Sequence, residues 1–507
     1  KAVILLEPFQ IMENEWKIYQ NEMKNTGQEV GIEKKVEEYK KLHTWEYLYQ
    51  AQRSFIGNFL TLVNCNEDGT LKAKDVVDYY KRPEYIYLGP DENMFNTMIE
   101  WIAFHSAKHG YKPGTSFITS KPTFGINHKE YGVTSLGVTM YMHQVLLSLG
   151  INPEKDPFTI KISGGPDGDV AGNMLLNLKK FYGKTAKVLA LTDVSGTIYD
   201  PNGLDLEAMA NLFKNAQAIR SYPPEKLSEG GFLLDLQSKK EESAYVQLTK
   251  CYRKKGGKLV EDWLSGNEMN HLYRNNVHQT KTDIFIPCGG RPRTLNEHNF
   301  QDFLDAAGKP TSKAIVEGAN LYLTPKARKA LEKLGVIIIK DSSANKGGVI
   351  CSSFEVLSTL TLDKEEFLKE KPQLVKEILE IIKKAALNEA KLLLDTFHKT
   401  GEFVTDISDK VSEKINLYKY QILDHLQDMQ LPKDENDPLI KCLFLYAPPL
   451  IREKYKERLL TRIPDIHKKA IIACFIASHL VYQRGLDWAP HISDILEAIA
   501  KDLTDKA

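Results

Sequence analysis

At 507 residues the chain is too long for one ordinary hydrophobic core, so two or three domains are expected, each with its own interior. Lys plus Arg and Asp plus Glu balance at 67 each, and without a basic block there is no electrostatic reason to expect nucleic acid or an anionic membrane as partner, which leaves small-molecule chemistry. Six cysteines (Cys65, Cys251, Cys288, Cys351, Cys442 and Cys474) are widely spread without a CxxC pair, the pattern of reduced thiols in a cytoplasmic protein, and no metal site is assigned.

Lys1 is followed at once by a strand-like run, residues 2–6, with no initiator Met and no signal peptide, so the chain is expected to be the C-terminal portion of a longer polypeptide. Residues 31–62 place Val36, Tyr39, Leu42, Trp45, Leu48 and Tyr49 at helical spacing. Together, 1–118 read as part of an α/β substrate-binding domain. From 119 to 355, strand-like runs at 158–163, 187–193, 283–287, 314–317 and 336–341 alternate with helical stretches, which predicts a doubly wound, Rossmann-type parallel sheet. From 356 to 507 the pattern is helical, notably at 367–397 and 464–484, and this region is expected to pack back on the first domain. Its longest apolar run, 471–481, is interrupted by Ser478 and His479 and is too short to span a bilayer.

The first strand of the sheet runs into Gly164-Gly165-Pro166-Asp167-Gly168-Asp169-Val170-Ala171-Gly172-Asn173 and then a helix. Backbone N–H groups and a helix N-terminus face one crevice there, where an anion binds without a basic side chain. Gly165, Gly168, Asp169 and Val170 are the cofactor candidates, although Pro166 stands where a GxGxxG motif has its first glycine. A pyrophosphate loop and a structural glycine turn fit this segment equally well. The second strand ends in Asp193, about 25 residues after the glycine turn, near the spacing at which a carboxylate accepts hydrogen bonds from an adenosine ribose diol and repels a 2′-phosphate. The competing reading makes Asp193 a cap for the turn at Ser195-Gly196. Two further strands end in Glu317-Gly318-Ala319-Asn320 and in Ser343-Ala344-Asn345-Lys346-Gly347-Gly348, offering backbone and amide groups to a ligand.

These segments, with Asp193-Val-Ser195-Gly196, Asp283 to Pro287 and Ser352-Ser-Phe354-Glu355, occur in the order seen in glutamate dehydrogenases. Leu88-Gly-Pro90-Asp91-Glu92 and His128-Lys-Glu130-Tyr131-Gly132-Val133-Thr134 resemble the large NAD-specific type, within the superfamily that also acts on leucine, phenylalanine and valine. The resemblance implies oxidative deamination of L-glutamate to 2-oxoglutarate and ammonium with NAD as cofactor, in a homo-oligomer. It makes Lys1 the candidate base, though a first residue also fits a solvated terminus. Asp91 becomes the proton shuttle, against an N-cap reading of the Pro90-Asp91 pair. Thr134, Asn345 and Ser352 become substrate contacts, with Ser352 also readable as small core filler, and Asn320 and Asn345 the amides that orient the nicotinamide. A Leu/Phe/Val-type amino-acid dehydrogenase and a non-catalytic nucleotide-binding regulatory module remain as alternatives.

Overall fold

The computed structural model describes residues 9–26, 31–66, 68–91, 94–243 and 246–504. The candidate base Lys1 and the strand-like run at 2–6 lie outside the described residues. The chain divides into two compact units, one of residues 1–127 with 355–369 and the other of 128–354 with 370–507.

In the first unit, helices Ile32–Val63 and Asn96–Lys108 bury Ile56, Leu60 and Val63 against Ile99, Ile102, Tyr111 and Phe117. Each aliphatic side chain removed from water contributes roughly 1.5–3 kcal/mol. An isolated parallel bridge joins Leu88 to Ile118, with Leu88 N–H donating to Phe117 O at 2.7 Å and Thr119 N–H to Leu88 O at 2.9 Å. It fixes the backbone that leads into Asp91. Lys121 and Glu355 form a pair at 2.7 Å whose side chains are 1% and 0% exposed. The other Glu355 oxygen accepts from Ser120 N–H and Ile126 N–H, so the charge is fully engaged.

The second unit is built on a nine-stranded sheet: β1 Phe158–Ser163, β2 Ala186–Asp193, β3 Gly196–Tyr199, β4 Phe232–Ser243, β5 Val246–Lys255, β6 Lys258–Leu264, β7 Thr282–Pro287, β8 Ser312–Val316 and β9 Ile337–Ile339. Its spatial order is β6-β5-β4-β3-β2-β1-β7-β8-β9. The run β2-β1-β7-β8-β9 is parallel, and β3 to β6 continue it as an antiparallel meander. Both faces of the parallel half are covered. On β7, β8 and β9, Ile284, Ile286, Ala314, Val316, Ile337 and Ile339 enter one core, while Phe285, Ile315 and Ile338 enter the opposite one. This strict period of two with apolar residues on both sides is what a doubly wound sheet demands. The doubly wound α/β expectation holds, and the meander is an addition that the sequence reading does not contain. Its strands carry Lys239, Lys240, Glu241 and Glu242 where β4 runs out of the core, so no continuous apolar run marks it.

The helices Lys364–Thr400, Val404–Leu426 and Asp465–Arg484 bring Leu393, Leu394, Ile407, Val411, Ile476 and Leu480 into the same core as β1 and β7. The apolar run at 471–481 is thus a packed helix. Among the described residues no helix is long and apolar enough to cross a membrane. All six cysteines are free thiols, and Cys474 is exposed.

Candidate functional site

Leaving β1, the chain proceeds to β2 on one side, while β7, β8 and β9 add on the other. The crevice at the carboxyl ends of β1 and β7 is therefore the point at which strand order reverses, where open α/β sheets bind ligands. Glycine makes this crevice possible. Gly164 has φ +107°, and a Cβ there would fall 2.8 Å from Gly289 N; a Cβ on Gly289 would fall 2.9 Å from Gly164 Cα. A Cβ on Gly165 would lie 2.4 Å from Asp167 Oδ1 and 2.7 Å from Asp193 Oδ2, so only a glycine lets both carboxylates close on the turn. Gly172 lets the helix Asp169–Tyr182 seat on the turn, since a Cβ would sit 2.1 Å from Phe213 Cδ2 and 2.3 Å from Pro166 O. The steric demand thus falls on Gly164, Gly165 and Gly172, while a Cβ on Gly168 would meet only Gly165 O at 3.1 Å.

The helix starts at Asp169 after Gly168, with no side-chain cap on its first N–H groups. Uncapped donors and the positive end of the helix dipole point into the crevice, which is the physical basis for holding a phosphate. Val170, in this first turn, meets the loop after β8: a Cβ on Gly318 would approach Val170 Cγ1 at 3.1 Å and Pro287 O at 3.3 Å. Burial raises the Asp169 carboxyl above its ordinary value, opposed by the Asn173 amide and by the charges of His128 and Lys129.

Asp193 closes the turn from β2 to β3. Its Oδ1 accepts from Ser195 N–H at 2.7 Å, Ser195 Oγ at 2.7 Å and Gly196 N–H at 3.1 Å, and its Oδ2 accepts from Ile219 N–H at 2.9 Å. The cap geometry is therefore present. Oδ2 also faces Gly165 and keeps one acceptor direction, so a second role on the crevice side is chemically open to the same group. Burial raises its pKa, against the lowering effect of the Ile219 and Ser195 bonds.

At the ends of β8 and β9 the two asparagines meet. Asn345 Nδ2 donates to Asn320 Oδ1 at 2.7 Å and to Gly318 O at 3.2 Å. Beside them lies an ionic cluster: Arg328 Nε donates to Glu317 Oε2 at 2.7 Å and Arg328 Nη2 to Asp341 Oδ1 at 3.0 Å. Glu317 also accepts from Leu323 N–H, and Asp341 from Leu321 N–H at 2.8 Å, which holds Leu321 at φ +56°. Burial dominates at Glu317 and pushes its carboxyl up to about 7 despite Arg328.

The third group gathers around His128. Ser352 Oγ lies 3.3 Å from His128 Nε2, and a Cβ on Gly348 would sit 3.3 Å from both His128 Nδ1 and Thr134 Oγ1. Gly348 thus leaves room between the imidazole and Thr134, which stands in the first turn of the helix Val133–Ser148. Gly347 is equally constrained, because a Cβ there would be 2.4 Å from Val133 O. Burial lowers the His128 pKa, with Asp169 pulling the other way. In the other unit Asp91 is exposed, and the helix beyond it takes Phe95 as its N-cap, so Asp91 does not cap that helix.

The sheet unit therefore unites Gly165, Gly168, Asp169, Val170, Asp193, Asn320 and Asn345 at its carboxyl edge and sets Thr134 and Ser352 about one histidine. Sequence reasoning gave no role to His128, Lys121 or Arg328. His128 sits within a quoted motif, but only the packing of Gly348 shows what it faces.

A family model for "Glutamate/Leucine/Phenylalanine/Valine dehydrogenase" matches residues 125–401, and the chain belongs to this family of amino-acid dehydrogenases. It is similar to glutamate dehydrogenase 2 of Dictyostelium discoideum, with 33% identity over 438 residues, covering 83% of this chain and 39% of the relative. It is also similar to the NAD-specific glutamate dehydrogenase of Saccharomyces cerevisiae, with 31% identity covering 82% of this chain and 38% of that protein. The probable NAD-specific enzyme of Schizosaccharomyces pombe gives 31% identity, 83% of this chain and 36% of its own length. The chain thus spans under two fifths of the length of these relatives. Among solved structures, the hetero-hexameric glutamate dehydrogenase of Thermus thermophilus covers 71% of this chain and 65% of its own, at 16% identity and a TM-score of 0.44.

Proposed function

We propose that the chain carries the catalytic portion of a cytoplasmic, homo-oligomeric NAD-dependent L-glutamate dehydrogenase, which converts glutamate and water to 2-oxoglutarate and ammonium. The observation that carries this is the convergence, at one edge of the sheet unit, of an uncapped helix N-terminus with the Asn320–Asn345 pair and the Thr134, His128 and Ser352 group. NAD, when bound, accepts the hydride from the substrate Cα. Gly164 and Gly165 let the turn before the helix pack tightly, and the first-turn N–H groups of Asp169–Tyr182 would hold the dinucleotide pyrophosphate. Asp193 would accept from the adenosine ribose and disfavour a 2′-phosphate.

Asn320 and Asn345 would fix the nicotinamide carboxamide and the substrate. Ser352 and Thr134 would engage the substrate carboxylates, with the neutral His128 ring orienting the Ser352 hydroxyl. Lys1 as a neutral amine would activate the attacking water, and Asp91 would carry the proton to and from nitrogen. In this reading residues 1–118 serve the substrate, 119–355 the cofactor and 356–507 the support.

The test is NADH formation by the whole protein with glutamate, leucine or phenylalanine, each with NAD and NADP. Turnover with glutamate and NAD is expected. Preference for leucine or phenylalanine would replace the substrate assignment, and NAD binding without turnover of any of them would overturn the enzymatic reading.

A further inference from the structure

Between Asn345 and the two constrained glycines stands Lys346, a residue the proposed chemistry does not use. Its side chain leaves the loop towards the helices that end the chain. Lys346 Nζ pairs with Glu389 Oε2 at 2.5 Å, and the Glu389 side chain, on the helix Lys364–Thr400, is only 4% exposed. The same oxygen accepts the Tyr482 hydroxyl at 2.8 Å, from the helix Asp465–Arg484. The fully buried Tyr141 hydroxyl, on Val133–Ser148, faces the same carboxylate: burial first, then Glu389, raises its pKa.

We infer that Lys346 is a positioning residue, locked by the buried carboxylate of Glu389 and the Tyr482 hydroxyl so that the neighbouring Asn345 amide is held in its working place; this rests on the dehydrogenase reading above. The loop is pinned at three points. On one side Asn345 is bonded to Asn320 and Gly318. On the other, Gly347 is wedged against Val133 O. Between them the ammonium is drawn to a carboxylate that, without it, would be a buried charge lacking its cation, a state costly enough to keep the pair closed. A lysine in a loop ordinarily samples many rotamers. Here its freedom is spent on fixing an amide, and the helical region far along the chain sets where that amide stands.

The experiment uses the whole protein with Lys346→Met, Lys346→Arg, Glu389→Gln and the double replacement Lys346→Met/Glu389→Met. Steady-state constants, NADH affinity and hydrogen exchange of residues 341–350 are measured for each. Lys346→Met is expected to lower kcat roughly ten- to a hundred-fold, the scale of an ångström-sized misplacement, with the KM for glutamate within about two-fold. Lys346→Arg should regain most of that loss. The double variant, which puts an apolar side chain at the buried Glu389 position and removes the charge facing it, should recover thermal stability but not kcat. Exchange of 341–350 should accelerate in Lys346→Met and in Glu389→Gln alike. A kcat within about two-fold of wild type for Lys346→Met, or kcat returning with stability in the double variant, would overturn the inference. If the wild-type protein does not turn over glutamate, the dehydrogenase reading fails by itself. Exchange and NADH affinity then decide: unchanged values in Lys346→Met overturn the positioning role, and faster exchange with weaker NADH binding sustains it.

Discussion

Arg328→Met puts the ionic cluster beside the asparagine pair to the test. Glu317 and Asp341 have side-chain exposures of 0% and 13%, and Arg328 bonds both. Removing one partner from such a buried pair costs about 3–5 kcal/mol, because the charge left behind has neither water nor a counter-ion. The loss should depend on pH. Glu317 titrates near 7 in the folded protein against an ordinary 4.5, so the folded state binds the proton more tightly than the unfolded state does. This group's contribution is fully present below about pH 4.5 and is lost as pH rises towards 7, by about 3 kcal/mol in all. Without Arg328 the carboxyl moves higher still. Wild type and variant then both carry a protonated Glu317 at pH 6 and differ in it at pH 8, where the variant's deficit should be larger by about 1 kcal/mol. Hydrogen exchange of β8 and β9 in low urea is the assay, because it reads the local opening energy of the strands that carry the cluster. A deficit under about 1 kcal/mol at pH 8, or one no larger at pH 8 than at pH 6, would refute the reasoning.

Gly172→Ala should cost several kcal/mol or abolish folding, because its Cβ would lie 2.1 Å from Phe213 and 2.3 Å from a carbonyl oxygen. Gly150→Ala, at φ +80° with open space around it, should cost only about 1 kcal/mol; thermal unfolding compares the two. Asp193→Ser should narrow the NAD-over-NADP ratio of kcat/KM at least roughly ten-fold, and an unchanged ratio would leave Asp193 as a turn cap alone. His128→Phe should raise the KM for glutamate roughly ten-fold while that for NAD holds, since it removes the ring nitrogen beside Ser352. Because burial lowers the His128 pKa, the folded state resists protonation there. Wild-type stability should therefore fall as pH drops below about 6.5, more steeply than in His128→Phe, as urea titrations across that range would show.

Much of the sheet was legible because a strand buried on both faces reads as a continuous apolar run, as Ile284-Phe285-Ile286 of β7, Ala314-Ile315-Val316 of β8 and Ile337-Ile338-Ile339 of β9 do. The meander was not, because strands that run into solvent carry charge on their outer positions and resemble surface loops. The glycine turn was found, but its register was decided by what each missing Cβ would strike. Gly164 is spared for Gly289, well over a hundred residues further along, and no local pattern encodes that approach. The same holds for Lys121 with Glu355 and for Lys161, a fully buried lysine on β1 that donates to His278 O and Thr280 O at the C-terminus of the helix Gly266–Gln279 and to Thr311 Oγ1 just before β8. In sequence, each looks like an ordinary surface charge.

The sequence by itself determined the doubly wound class, the strand that feeds the glycine turn, the carboxylate after β2 and the two asparagine endings, all features set by neighbours close along the chain. Only the tertiary structure decided which of these groups meet. Asn345 finds Asn320, His128 lies between Thr134 and Ser352, and Lys346 reaches Glu389 and Tyr482 from helices that pattern alone marks as a tail. The physical reason is that a local pattern fixes which face of an element is apolar, whereas the pairing of a polar group with a distant partner is settled only when burial removes the water that would otherwise satisfy it.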